Sequence, residues 1–116
     1  IEKMGQWVKG KSADSFGPTG PYLVTKDEIP DVQKLNLSLD LNNKRMQTGN
    51  TSKMIFSINF ILSYLSNFMS LQPGDIVTTG TPPGVGMGKK PPLYLKPGDE
   101  MRLSINYLGN QQQKVK

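Results

Sequence analysis

The clearest pattern in the chain is a strict alternation of apolar and polar residues from position 35 to position 41. Leucine occupies every odd position and a polar residue every even one, which is the period of a β-strand with one buried and one wet face. Asn42 and Asn43 follow, and they favour a tight primed turn because asparagine tolerates positive φ. The pattern therefore predicts a hairpin whose return strand covers roughly Lys44 to Thr48.

After position 57 the apolar residues recur at helical spacing. They lie three or four residues apart between Ile58 and Met69, which predicts one amphipathic helix of about three turns near 57–69. Ser57 is the expected N-cap, because its hydroxyl can accept a hydrogen bond from a free N–H of the first turn. We expect the apolar face of this helix to pack in the core.

Two Pro-Gly pairs, at 73–74 and 97–98, each precede a run that is typical of a strand. Proline followed by glycine suits the central positions of a type II turn. The runs Ile76–Thr79 and Glu100–Ile105 are predicted strands, as are Pro21–Thr25 and Gln111–Lys116, while the glycine-rich segment 1–20 is predicted as a shaped loop. One helix among six or seven short strands indicates an α+β, mostly β fold.

Composition excludes several kinds of site. The chain has no cysteine and no histidine, so it has no disulfide, no thiolate metal site and no histidine general base. The net charge of +5 is spread along the sequence. No aromatic run interleaves with its densest cluster, Lys89, Lys90 and Lys96, as a platform for stacked bases would require. We therefore expect no nucleic-acid binding, and a basic non-catalytic binding module is the alternative function.

The sequence also bears on location and boundaries. No stretch has the length and apolarity of a membrane span, and no secretory signal is visible, so we expect no membrane contact and a cytoplasmic or mitochondrial location. The chain begins at Ile1 and ends at Lys116 inside a predicted strand. Because domain boundaries usually fall in polar linkers, we interpret residues 1–116 as part of a larger domain.

Residues Gly5–Ser12 match the phosphate-loop pattern GxxxxGK[ST] letter for letter. That pattern binds phosphate only where a buried strand precedes it and a helix N-terminus follows it. Residues 1–4 carry two charges, and the segment after the pattern is too rich in glycine and proline to sustain a helix. We interpret the match as accidental and expect no nucleotide site.

The Thr79–Gly86 loop consists almost entirely of glycine, proline and threonine. Its glycines allow a ligand to approach the backbone, Thr79 and Thr81 supply hydroxyl donors, and the prolines stiffen it. Such a loop suits a carboxylate held by backbone N–H groups and a threonine hydroxyl. On composition alone, an ordinary connecting loop is an equally good interpretation.

Three segments, in this order, resemble the C-terminal half of the fumarylacetoacetate hydrolase-like family: Gly10–Pro21, Gly49–Ser57 and Leu71–Gly86. The inserted Lys89–Leu95 is most similar to the fumarylacetoacetate hydrolase domain-containing protein 2 branch. The resemblance implies a mixed β-roll, a homodimer, and a Mg²⁺ or Mn²⁺ ion that chelates a 2-oxo acid or its enolate. It also implies hydrolysis of carbon–carbon bonds in diketo acids, tautomerisation or decarboxylation of oxaloacetate, or isomerisation of 2-hydroxy-diene-dioates.

The resemblance assigns roles to individual residues. Lys11 falls where the family has a lysine beside metal and substrate, and Ser15 keeps a hydroxyl near the metal where threonine is usual. Thr81 falls on the threonine that contacts the substrate carboxylate, with Gly80 beside it. Ala13 replaces a usual aromatic residue. Without the resemblance, Lys11 would be interpreted as a solvated lysine and Thr81 as the cap of a strand.

The family's metal ligands, a Glu-x-Glu pair and an aspartate, precede the lysine motif, and none of the nine acidic residues here forms such a pair. Because hard cations need several oxygen ligands, we expect those ligands upstream of this chain. Residues 1–116 are then a partial catalytic domain, inactive alone, whose partner is a small oxo-acid or dicarboxylate substrate. A family scaffold that has lost its catalytic residues is the other alternative.

Overall fold

The computed structural model describes residues 5–116, in which four antiparallel strands form one sheet. The sheet order is β2-β1-β3-β4, so the leucine-rich strand lies inside the sheet. Strands and a few helices confirm the α+β, mostly β class. The elements follow in the order α1 (Trp7–Lys11), β1 (Asn36–Leu41), β2 (Lys44–Asn50), α2 (Ile58–Ser66), β3 (Glu100–Ile105) and β4 (Gly109–Lys114).

The β1–β2 hairpin forms where the leucine alternation predicts it. Asn42 and Asn43 both adopt positive φ, 49° and 63°, because a primed turn needs these values to match the twist of its strands. The return strand continues to Asn50, two residues beyond the expected end. The second hairpin, β3–β4, begins its return at Gly109 and ends at Lys114.

Both Pro-Gly turns are present, and each carries a second hydrogen bond that the pattern does not reveal. Gly74 and Gly98 have φ of 97° and 93°, as the type II turn requires. In each turn the aspartate N–H donates to the carbonyl of the first residue, at 3.1 and 3.0 Å. The same aspartate's carboxylate accepts from the N–H of that first residue, at 2.7 Å from Gln72 and 2.9 Å from Lys96.

Two predicted strands are wrong. Pro21–Thr25 and Ile76–Thr79 are extended, but neither joins the ladder formed by the described residues. Local pattern measures a tendency, whereas a strand also needs a partner for its N–H and C=O groups. Each segment leaves a large apolar side chain uncovered, with Leu23 92% and Ile76 71% exposed. The sheet therefore has four strands in the described chain, not six or seven.

The predicted loop over 1–20 is also wrong in part, because the short helix α1 occupies residues 7–11. The rest of the segment from Ser12 to Gly20 contains neither helix nor strand. Positions 1–4 lie outside the described residues.

The helix α2 begins at its predicted cap. The Ser57 hydroxyl oxygen accepts a hydrogen bond from the backbone N–H of Phe60 at 3.1 Å, which satisfies one of the free donors of the first turn. The helix ends at Ser66, three residues before the expected end. There the Asn67 side chain donates to the Ser63 carbonyl at 3.0 Å, an oxygen of the last turn.

The expected packing of α2 in a core is found only in part. Its inner apolar residues are half-buried, and Ile29 and Leu35 are the only buried apolar residues among positions 5–116. Four aromatic side chains follow one another along the helix at centroid distances of 4.9, 6.2 and 5.0 Å, the first two pairs stacked and the third tilted, and all four remain at least half exposed. We call this set the aromatic ladder: Phe56, Phe60, Tyr64 and Phe68.

No helix in the described part is long and apolar enough to cross a membrane.

Candidate functional site

A cavity of about 870 Å³ lies between the end of β2, the start of α2 and the Thr79–Gly86 loop. This volume falls in the range of small-molecule sites, which are mostly apolar with a few placed polar groups. The cavity has that composition. Its apolar wall includes Leu37, Met54, Phe56, Ile61 and Val85.

The Thr79–Gly86 loop is attached to β2 by one side chain. The Gln47 amide nitrogen donates to the Thr81 hydroxyl oxygen at 2.8 Å and to the Pro82 carbonyl at 2.7 Å. Gln47 is half-buried and comes from the return strand of the first hairpin. The loop is therefore held by the sheet although its leading segment joins no strand.

The attachment of the loop to β2 also requires that the two backbones lie close together. A Cβ atom added at Gly84 would lie 2.2 Å from the Met46 carbonyl oxygen, and one added at Gly49 would lie 2.7 Å from Pro82. Such distances leave no room for a side chain. Gly84 therefore serves contact with the protein's own backbone, whereas the composition alone suggested contact with a ligand.

A β-bulge explains why β2 presents these groups together. Leu39 pairs with Gln47 but Asp40 pairs with Arg45, so Met46 is an extra residue in the return strand. A bulge redirects the side chains beside it and is common next to functional sites. Here it lies directly before Gln47, beside the carbonyl that contacts Gly84.

The structure brings two of the predicted site residues to the cavity. Gly80 and Thr81 both line it, together with Thr79. Gly80 has φ of 93°, and no heavy atom lies within 4 Å of the position that a Cβ would occupy. The backbone at Gly80 is thus open on the side where an anion could approach, next to the Thr81 hydroxyl.

The other two predicted site residues lie elsewhere. Lys11 is the last residue of α1, and Ser15 follows it in an exposed turn with φ of 63°. Neither lines the cavity formed by residues 5–116. Their placement beside metal and substrate therefore stays a prediction.

The electrostatics of the cavity are set by one side chain. Lys53, in the short 3₁₀ turn Thr51–Lys53 after β2, is the only charged residue that lines it in the described part. A lysine ammonium and a threonine hydroxyl are both hydrogen-bond donors. In a mostly apolar wall they favour a ligand with an anionic end.

The described acidic residues do not fit a metal site. No three Asp or Glu side chains within residues 5–116 lie close enough together to share an ion. A hard cation such as Mg²⁺ takes about six oxygen ligands, which include carboxylates or water. Nothing that this stretch supplies would hold such an ion tightly.

The phosphate-loop pattern has the wrong surroundings. The helix α1 occupies Trp7–Lys11, inside the pattern, whereas a phosphate loop needs its helix to begin after it. From Ser12 to Gly20 no helix follows. The residues before Gly5 lie outside the described chain, so the prediction about a preceding strand is untested.

Sequence reasoning missed two residues: Lys53, which lines this cavity, and Gln47, which holds the loop that forms part of its wall. Gln47 lies in a polar return strand, where nothing in the pattern distinguishes it from Thr48. Lys53 falls inside one of the segments that carry the family resemblance, but the resemblance assigned it no role in ligand binding. Only the folding of the loop onto β2 shows that Gln47 contacts Thr81 and that Lys53 lines the same cavity as Thr81.

Comparisons with known proteins identify the family of this chain. The model of the family described as fumarylacetoacetate hydrolase, C-terminal, matches residues 1–116. A relative from Burkholderia cenocepacia, named only as a putative hydrolase, is 56% identical over 117 residues, which cover 100% of this chain and 42% of the relative. The chain thus spans about two fifths of the length of the curated relatives that it matches.

Solved structures show the same fold. The fumarylacetoacetate hydrolase from Exiguobacterium antarcticum is 42% identical with a TM-score of 0.90, over 93% of this chain and 39% of that one. The maleylpyruvate hydrolase from Sphingobium sp. SYK-6, in complex with manganese(II) and pyruvate, is 36% identical with a TM-score of 0.79, over 88% and 36%. The 2-hydroxyhepta-2,4-diene-1,7-dioate isomerase from Mycobacterium marinum is 36% identical with a TM-score of 0.83, over 96% of this chain and 40% of that one.

These matches confirm the family that the three sequence segments predict. The family model covers every residue of the chain, and the similar structures share both the fold and more than a third of the residues. The chain therefore belongs to the fumarylacetoacetate hydrolase C-terminal family.

Proposed function

We propose that this chain supplies the acid-binding part of the active site of a divalent-metal-dependent enzyme that acts on small oxo or diketo acids. The observation that carries the proposal is the Thr81 hydroxyl, tethered to Gln47 at 2.8 Å at the wall of an apolar cavity. Two similar structures support the substrate class, since one holds pyruvate and the other is named for a dienedioate.

In this proposal Thr81 and Lys53 bind the two ends of an elongated acid. The Thr81 hydroxyl donates to a carboxylate oxygen, and the open backbone at Gly80 lets that carboxylate come close. The Lys53 ammonium offsets a second negative charge. Most of the wall is apolar, while Thr81 and Lys53 themselves are exposed in the described chain.

The reaction class follows from the family. Hydrolysis of a carbon–carbon bond, tautomerisation or decarboxylation of oxaloacetate, and isomerisation of a 2-hydroxy-diene-dioate all build negative charge on an oxygen beside the carboxylate, so donors at that oxygen lower the barrier. We propose Lys11 as the catalytic lysine and Ser15 as a neighbour of the metal. The metal is proposed as Mg²⁺ or Mn²⁺, with ligands outside residues 5–116.

The test compares two threonines in the intact protein. Mg²⁺-dependent loss of the oxaloacetate enol absorbance is expected for the wild type. Thr81→Val keeps the shape and removes the hydroxyl, so it is expected to raise KM roughly tenfold to a hundredfold, the cost of a hydrogen bond to a charged group. Thr78→Val is the control, because Thr78 does not line the cavity and should leave KM unchanged.

Two further variants address the charges. Lys53→Ala should weaken binding of oxaloacetate more than binding of pyruvate, which has a single carboxylate, while Lys44→Ala on the hairpin should change neither. Lys11→Ala should abolish turnover. Enol loss that is unaffected by EDTA, by Lys11→Ala and by Thr81→Val would contradict the proposed function.

A further inference from the structure

The hydrogen bond between Gln47 and Thr81 joins β2 to a residue that lines the cavity. The Gln47 amide nitrogen has two hydrogens and uses both, one on the Thr81 hydroxyl oxygen at 2.8 Å and one on the Pro82 carbonyl at 2.7 Å. A carbonyl oxygen can only accept, so the Pro82 contact fixes which end of the amide faces the loop. In the bond between Gln47 and Thr81, the amide N–H is therefore the donor and the hydroxyl oxygen of Thr81 is the acceptor.

This direction determines what Thr81 can still do. A hydroxyl has one hydrogen to donate and two lone pairs to accept with. Since Gln47 occupies a lone pair, the hydrogen of Thr81 is free for another acceptor. The nearest one is the Pro82 carbonyl at 3.4 Å, longer than the 2.5–3.0 Å usual for a bond between two oxygens. The hydrogen is therefore available to an anionic oxygen in the cavity.

The backbone around the pair keeps Gln47 in place. The bulge at Met46 lies directly before Gln47, and the Met46 carbonyl leaves no space at Gly84 for a side chain. The loop is thus pressed onto β2 on both sides of the amide contact. Because the fold already orients the amide, little free energy is needed to order it when the ligand binds, which is the advantage of preorganised donors.

We infer that Gln47 is a positioning residue, which holds Thr81 as a hydrogen-bond donor to the carboxylate of an oxo acid. Gln47 itself touches no substrate. The inference rests on the proposed function, because it assigns Thr81 to carboxylate binding. It predicts that exchanging the amide for a carboxylate reverses the direction of the bond, so that Thr81 donates to the new side chain and no longer to the ligand.

The experiment measures pyruvate binding, in the presence of Mn²⁺, to the intact protein and its variants by calorimetry. Gln47→Glu is expected to raise the Kd at least tenfold at neutral pH. When the introduced carboxyl becomes protonated it can donate again, so the ratio of variant to wild-type Kd should fall towards one as the pH approaches about 4 to 5. Gln112→Glu, on the exposed face of β4, makes the same charge change and should leave the ratio near one at every pH.

A second measurement needs no ligand. Three-bond scalar couplings report the rotamer of Thr81, which should be single in the wild type and averaged in Gln47→Met, because that variant keeps the length of the side chain and lacks the donor. If the wild type binds no pyruvate, the proposed function fails and these couplings alone decide the inference. A fixed Thr81 rotamer in Gln47→Met, or an unchanged Kd in Gln47→Glu where the wild type binds, would overturn it.

Discussion

Gly84 determines how closely the Thr79–Gly86 loop approaches β2. It has φ of 113°, and a Cβ there would lie 2.2 Å from the Met46 carbonyl oxygen. Both the backbone conformation and the lack of space exclude other residues. The contact presses the loop onto β2 and so places Thr81 within reach of Gln47.

Gly84→Ala is therefore expected to lower the free energy of unfolding by at least about 1–3 kcal/mol, the cost of the strained backbone alone. It should also weaken pyruvate binding, since the loop must move off β2. Urea unfolding and calorimetry measure the two effects.

Gly17→Ala is the matched control, because no atom lies within 4 Å of its added Cβ and its φ is not positive. That variant should unfold at the urea concentration of the wild type or slightly above it. Equal unfolding midpoints for the two variants would show that the Gly84 contact does not hold the loop.

Among the site residues, those predicted from the sequence and those missed differ in how they are recognised. Thr81 and Gly80 belong to a continuous motif, which a resemblance between sequences preserves. Gln47 and Lys53 act through space, from positions 34 and 28 residues before Thr81. Periodicity along a single strand carries no information about such contacts.

At the scale of elements, the turn before β3 and the turn between β1 and β2 support each other. The Asp99 carboxylate accepts from the Asn42 amide at 2.9 Å and from the Lys96 N–H at 2.9 Å. The Oδ1 atom of the same Asn42 amide accepts in return from the Glu100 N–H at 2.9 Å. The two hydrogen bonds that Asp99 accepts hold its pKa below the usual value, with the bond from Asn42 contributing more than the bond from Lys96.

The sign of the pH dependence follows from that shift. The pKa of Asp99 is lower in the folded chain than in the unfolded one. Ionised Asp99 therefore stabilises the fold fully when the pH is above its pKa in the unfolded chain, and this contribution is lost as the pH falls through its pKa in the folded chain. Between about pH 6 and pH 2 the free energy of unfolding is therefore expected to decrease less in Asp99→Asn than in the wild type. Urea titrations across this range measure the effect.

Asn42→Gly should act in the same direction, because glycine keeps the positive φ and removes the donor to Asp99. Asn43→Gly, at the neighbouring turn position, is the control and should retain the full pH dependence. If Asp99→Asn and the wild type lose stability in parallel on acidification, the link between the two turns does not contribute.

At the scale of the whole molecule, the described chain covers little of its own apolar surface. Its radius of gyration is 15.6 Å, whereas a compact domain of this length has about 13 Å. Only Ile29 and Leu35 are buried apolar residues among positions 5–116, and the aromatic ladder is at least half exposed. Contiguous exposed apolar patches of this kind bind dyes and other apolar surfaces. The homodimer stays a prediction from the family resemblance.

The chain of 116 residues, prepared alone, is therefore expected to increase the fluorescence of the dye ANS under native conditions. The double variant Phe60→Ser/Phe68→Ser should remove most of that increase, because it interrupts the ladder at two points. Leu23→Ser is the control: its side chain is 92% exposed but lies outside the ladder. Circular dichroism checks that α2 persists, and a dye response that the double variant leaves intact would contradict the prediction.

The sequence alone determined the features that depend on neighbouring residues. The leucine alternation, the Asn-Asn and Pro-Gly turns and the Ser57 cap all formed as predicted, since backbone torsions and local hydrogen bonds decide them. The family followed from three continuous motifs. Tertiary structure alone decided which extended segments found a partner strand, and so excluded 21–25 and 76–79 from the sheet. It also brought Lys53 and Thr81 to one cavity and Gln47 into contact with Thr81, because contacts between distant residues depend on how the chain packs and not on its local period.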